Sequence, residues 1–193
     1  MKKRRSPKKK KSIFAKHKIG TALTGLFIIS IMALSALNMW NAEESGKVEY
    51  KGIEFARTDA GFIAYKGTQR IFIKNNPSEL ENMSIPTASP GNLVGSSKIY
   101  LSYDHLAGTR SAVRTFLQNY HYDSLLVEAC PEDNELCRDL PLRDCSDAGD
   151  GVGVILFQQS NVSKVFYQNE NCLIIQGKEL DKVVEKMVLE DLL

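Results

Sequence analysis

KIYLSYDHLAGTRSAVRTFLQNYHYDSLLVEA, residues 98–129, changes its hydrophobic period twice, and that change decides the fold. Lys98 to Tyr103 alternates as a strand does. Ala112, Val113, Phe116, Leu117 and Tyr120 then recur at helical spacing behind Thr109, which reads as the cap. Ser124 to Ala129 is a nearly continuous apolar run with strand character. A strand, a helix and a strand of these lengths predict a right-handed crossover, which sets the two strands parallel in one sheet.

Upstream lie three β-like runs, Val48 to Phe55, Phe62 to Lys66 and Arg70 to Lys74. Thr58-Asp59-Ala60-Gly61 marks one reversal, and Gly67-Thr68 suits a two-residue hairpin with glycine at the first central position. Asn76-Pro77-Ser78-Glu79 reads as a short helix start, with an asparagine cap and proline in the first turn. Residues 83–97, rich in Ser, Pro and Gly, read as a loop. Downstream, Val152 to Phe157, Val162 to Tyr167 and Cys172 to Gln176 predict an antiparallel meander. From Glu179 a closing helix gathers Leu180, Val184, Met187, Val188 and Leu192 on one face, with Lys182, Glu185, Lys186 and Glu190 on the other. The expected class is α+β.

Charge divides the chain further. Ten of its 25 Lys and Arg fall within residues 1–18, and all 23 acidic residues follow residue 42, so the remainder carries about −8. Between Lys18 and Glu43 no charged residue occurs. The run from Ile19 to Trp40 has the ~20 apolar residues that a helix needs to cross a bilayer. With the cations on one side only, the basic tail 1–18 is expected in the cytoplasm and 19–40 across the membrane. A linker, 41–47, then leads to an extracytoplasmic domain, 48–193. The apolar run is longer than a signal-peptide core and lacks a clean small-x-small site, so an anchor is expected to stay. The tail has no interleaved aromatic side chains for stacking on bases, so nucleic acid is not an expected partner; the lipid bilayer is.

Cys130, Cys137, Cys145 and Cys172 all fall in the segment expected outside, where thiols oxidise, and an even number suits two disulfides. Their spacing lacks the close pairs of zinc sites. In a meander the first and third strands start at the same end, so Cys145 is expected to meet Cys172, leaving Cys130 with Cys137. The sequons at Asn82 and Asn161 are candidate glycan acceptors.

The succession VEYKGIEFARTDAGFIAYKG, IFIKNNPSELENMSIP, KIYLSYD, LPLRDCSD and NENCLIIQGKELDKVVEK resembles a group of uncharacterised archaeal membrane proteins. These carry one N-terminal membrane helix and a small cysteine-bearing outer domain. The resemblance covers most of the chain after residue 47 and implies an outward-facing domain and an archaeal origin. It implies no activity.

No catalytic motif of the zinc-protease, nucleophile-elbow or phosphate-loop type occurs. Tyr103-Asp104-His105 follows a strand end, where sites on α/β sheets gather, so Asp104 and His105 are the one weak candidate site, with a surface-loop histidine as the plainer interpretation. The element order also resembles thioredoxin-like folds, but the nearest cysteines lie too far apart for a Cys-x-x-Cys centre, and their acidic surroundings would raise a thiol pKa. Asp144, Asp147 and Asp150, with Glu132, Asp133 and Glu135, offer carboxylates to calcium, yet not at EF-hand spacing. No catalytic residue, metal or cofactor is therefore assigned. The sequence favours a membrane-anchored interaction module that meets an envelope protein or ligand; the second class is an envelope enzyme, a thiol oxidoreductase or hydrolase.

Overall fold

Three hairpin turns build the first sheet. At Lys51-Gly52 both residues have positive φ, 49° and 79°, the geometry of the tight primed turn that right-twisted strands favour. It breaks the single expected run into β1 (Lys47–Tyr50) and β2 (Ile53–Thr58). Lys-Gly lacks the Asn-Gly or Asp-Gly signature, so the sequence gives no local sign of this turn. β3 (Gly61–Lys66) and β4 (Gln69–Ile73) follow, and the order β1-β2-β3-β4 is antiparallel throughout. Gly61, at φ 146°, is confined to glycine: an added Cβ would lie 2.3 Å from the Ile73 carbonyl oxygen.

These elements come from a computed structural model that describes residues 26–35 and 46–193. Residues 26–35 form a helix, α1, whose side chains are exposed, Phe27 at 65% and Met32 at 68% among them. The rest of the expected 19–40 span, the basic tail and most of the linker lie outside the described residues. Among the described residues no helix is long and apolar enough to cross a membrane. Lys47–Leu193 forms its own compact unit.

Within it, Asn76 accepts the Ser78 N–H at 3.1 Å and opens α2 (Pro77–Glu81). The mixed sheet then begins with β5 (Lys98–Ser102), α3 (Ala107–Asn119) and β6 (Leu125–Ala129), and β5 and β6 are parallel. α3 starts before the expected cap. Its cap position is Leu106, and Thr109 is buried inside the first turn.

β7 (Val152–Gln159), β8 (Lys164–Asn169) and β9 (Cys172–Gly177) do not form the expected meander. β9 runs parallel to β7 and antiparallel to β8, giving the order β6-β5-β7-β9-β8. The burial explains the exchange. Every residue of β9 is buried, whereas β8 is buried only at Val165, so the fully buried, mostly apolar strand takes the interior position and the mixed one the edge.

α4 (Leu180–Leu192) closes the chain. It packs beside α3, and both helices reach β4 of the first sheet. One core joins the two sheets: Phe55, Ile71, Ile73 and Leu80 from the first part meet Leu101, Phe116, Phe157, Leu173, Val184 and Met187. The polar face expected on α4 is not solvated throughout. Glu185 is fully buried and Lys186 is 5% exposed. Glu185 accepts N–H bonds from Lys74 at 2.8 Å, from Asn75 at 3.2 Å and from the Asn75 amide at 2.8 Å. Lys186 bonds the Tyr50 hydroxyl and Glu190. Buried charges persist where each is paired or hydrogen-bonded.

Candidate functional site

Parallel strands β6, β5, β7 and β9 change direction of progress once. From β5 the chain crosses to β6 on one side, then returns past β5 to β7 on the other. Ligands of open α/β sheets sit beyond the carboxyl ends of the strands at such a switch. Here those ends are Tyr103-Asp104-His105 after β5, Gln159 in β7, and Lys178 after β9. A cavity of about 270 Å³ opens there, bordered by Asn75, Gly108, Gln159, Lys178, Asp181 and Lys182. Gly108 lies in the first turn of α3 and Asp181 in that of α4, and neither helix start carries a side-chain cap.

The charges around this cavity are mixed. Lys74 lies 3.8 Å from Asp181 Oδ1, an ion-pair distance but too long for a hydrogen bond, and Lys74 also donates to Ser111. Lys182 pairs with Glu179 at 3.1 Å. The lining offers amides and charged side chains of both signs, so the crevice can hold a small polar group.

His105 is not on the surface. Its backbone is left-handed, φ 57°, and its ring is 5% exposed. The ring stacks on Tyr103 at 3.8 Å between centroids, with Nε2 3.3 Å from the Ala129 carbonyl oxygen. The sharp turn after β5 folds the imidazole back over the end of β6 instead of presenting it. Asp104 Oδ1 accepts the Leu106 N–H at 3.1 Å, which steadies the entry to α3. The two residues thus form a corner, not a cleft.

Cys130 bonds Cys137 and Cys145 bonds Cys172, with Cα–Cα distances of 6.0 and 5.4 Å. Because β7 and β9 are parallel neighbours, the approach to the first and the start of the second lie at one end of the sheet. Cys145 and Cys172 pack with Val154, Leu156 and Ile174 on the sheet face opposite the helices. The acidic loop is committed internally: Asp144 accepts the Ser146 N–H at 2.7 Å, and Asp147 accepts the Asp144 N–H at 2.9 Å and pairs with Arg143 at 3.2 Å. Hydrogen bonds from Ser146 hold the Asp144 carboxyl below its ordinary pKa. Among the described residues no group of three or more His, Cys, Asp or Glu side chains is placed to hold a metal ion. Asn82 ends α2, Asn161 lies in the turn between β7 and β8, and both are exposed.

Two clusters escaped the sequence. Tyr100 carries Arg143 and Lys98 over its ring, at 5.2 and 5.7 Å, and the hydrogen bond from Arg143 lowers its pKa against the effect of burial. Glu185 draws Lys74 and Asn75 from more than a hundred residues away. Lys98 and Tyr100 share one face of β5, but Arg143, like the partners of Glu185, comes from a distant segment that no local pattern signals.

No family model, curated protein or solved structure matches the chain.

Proposed function

We propose that this chain is a non-catalytic interaction module, anchored by the apolar segment 19–40 with the domain 47–193 on the extracytoplasmic side. The observation that carries the proposal is the coincidence of two closed disulfides in one domain with an uncharged apolar stretch before it and ten cations before that. Disulfides persist where the compartment oxidises, and a lysine-rich flank stays inside. The fate of the catalytic candidates supports a binding role: all four cysteines are in bridges, and His105 and Asp104 serve a turn.

A reporter fused after Leu193, active only outside the cytoplasm, tests the topology. Activity in intact cells, with non-reducing peptide maps linking Cys130 to Cys137 and Cys145 to Cys172, is the expected result. A reporter active only in the cytosol overturns the proposal, as does a domain released from membranes by salt washing alone.

A further inference from the structure

Every buried or edge peptide group needs a partner or water, so each sheet edge can be audited. At β4 the Asn119 side chain accepts the Phe72 N–H at 2.8 Å and donates to its carbonyl at 2.7 Å. At β8 the Val165 N–H donates to the Pro86 carbonyl at 2.9 Å. β6 differs from both. The Leu125 N–H donates to Ser97, and the Ala129 carbonyl accepts from Tyr103, so these residues face β5. By the alternation of a strand, Leu126, Glu128 and Cys130 face outward. Residues 141–143 cover Cys130, whose N–H donates to the Pro141 carbonyl and whose carbonyl accepts the Arg143 N–H. The outward peptide groups of Leu126 and Glu128 have no protein partner among the described residues.

Exposed leucines lie at both ends of this edge, Leu125 at the start of β6 and Leu106, Leu136 and Leu142 about its end. Leu125 is 60% exposed, Leu106 54%, Leu136 55% and Leu142 48%. Leu106 follows His105, which touches Ala129; Leu136 lies in the loop bridged to Cys130; Leu142 pairs with Cys130. Exposed apolar side chains beside an unpaired strand edge mark an interaction site.

We propose that β6 pairs antiparallel with β6 of a second copy of this chain, about a twofold axis at Leu126. The free edge ends where residues 141–143 begin, so it admits a short strand and stops a long one, and β6 itself has five residues. This register sets Leu126 opposite its own copy, Leu125 opposite Val127 and Glu128 opposite Ser124, with no like charges directly opposed. A standard interface covers about 800 Å² per partner. Four half-exposed leucines supply on the order of half of that, so the dimer is weak in solution and gains from tethering both copies to one surface. The inference deepens the proposed function by naming the partner; its register does not depend on the membrane.

The test uses the full chain with Leu125→Cys and Val127→Cys co-expressed as separate copies. Mild oxidation, in membranes and in detergent at rising concentration, is followed by non-reducing peptide mapping, which also reads the two native bridges. A 125–127 intermolecular disulfide at least tenfold above a Tyr65→Cys control, and its loss when the Val127→Cys copy also carries Leu126→Pro, is the expected result. Tyr65 is 65% exposed and belongs to the other sheet, and the proline removes the outward N–H together with a side chain packed on the core, so the native bridges read in the same maps report that this copy stays folded. In the chain with no introduced cysteine, Leu125→Lys, a change at an exposed side chain, abolishes concentration-dependent sedimentation. Cross-linking no greater than at Tyr65, linkage to a different protein, or sedimentation unmoved by Leu125→Lys overturns the pairing. Pairing in detergent with a cytosolic reporter would discard the anchored topology and keep the dimer.

Discussion

Replacing Glu185 with alanine is the sharpest test of how this domain is held together. The carboxylate is fully buried in α4 and accepts from the Lys74 N–H, the Asn75 N–H and the Asn75 amide. Alanine leaves all three donors without a partner in the corner between β4 and α2. A buried orphan costs about 1–3 kcal/mol, and water entering the space recovers part of it, so a net loss of about 3–4 kcal/mol is expected. At about 2–4 °C per kcal/mol for a domain of this size, the melting temperature falls by roughly 10 °C. Burial raises the Glu185 pKa above the ordinary carboxyl value, and Asp181 adds to the shift against the bonds from Asn75 and Lys74. An acid with a raised native pKa stabilises most below its unfolded pKa, and that contribution is lost as pH rises through the native value. The gap between wild type and Glu185→Ala therefore widens on acidification across that window. Urea unfolding followed by circular dichroism, disulfides intact, measures both effects. A loss under about 1 kcal/mol, or a gap that narrows toward acid, refutes the argument.

Asn119→Ala removes the side-chain amide that satisfies both peptide groups of Phe72 and donates to the Thr115 carbonyl at 2.8 Å; a loss of about 2–4 kcal/mol is expected, with amide exchange accelerated first in β4. Gly177→Ala drives a methyl to 2.6 Å from Val183 Cγ2 and 2.9 Å from Ser163 Oγ, and overpacking at this join of β9 and α4 costs about 1–3 kcal/mol by chemical denaturation. Serine at both Cys145 and Cys172 opens a bridge between residues 27 apart, for an expected loss of about 3–4 kcal/mol, against about 2–3 kcal/mol for the shorter Cys130–Cys137 loop. Equal losses for the two bridges would contradict the chain-entropy account.

Local chemistry was legible in the sequence and long-range choice was not. The Asn76 cap, the Gly67-Thr68 hairpin and the strand, helix and strand of 98–129 each depend on residues within a few positions, and each can be found by pattern. Lys51-Gly52 was missed because lysine rarely adopts positive φ, and only the pairing of β1 with β2 holds it there. The placement of β9 between β7 and β8 turns on total burial, which three short apolar runs of similar composition do not reveal. Glu185 and Lys186 look like a solvated face by period; their partners Asn75 and Tyr50 lie far away in the chain. The Asp104–His105 pair fails as a site for a similar reason. A strand end specifies a place on the sheet, but the left-handed turn at His105 sends its ring toward Ala129.

The clasp of the first sheet by α4 has a consequence for how the chain is made. Tyr50 and Lys51 are secured by Lys186 and Glu190, partners 136 and 139 positions later. During synthesis the opening hairpins therefore emerge long before the residues that lock them, and they wait with their apolar faces unpaired until Lys186 and Glu190 have been added. A chain stalled before residue 180 would carry its first sheet without the α4 partners that hold Tyr50 and Lys51.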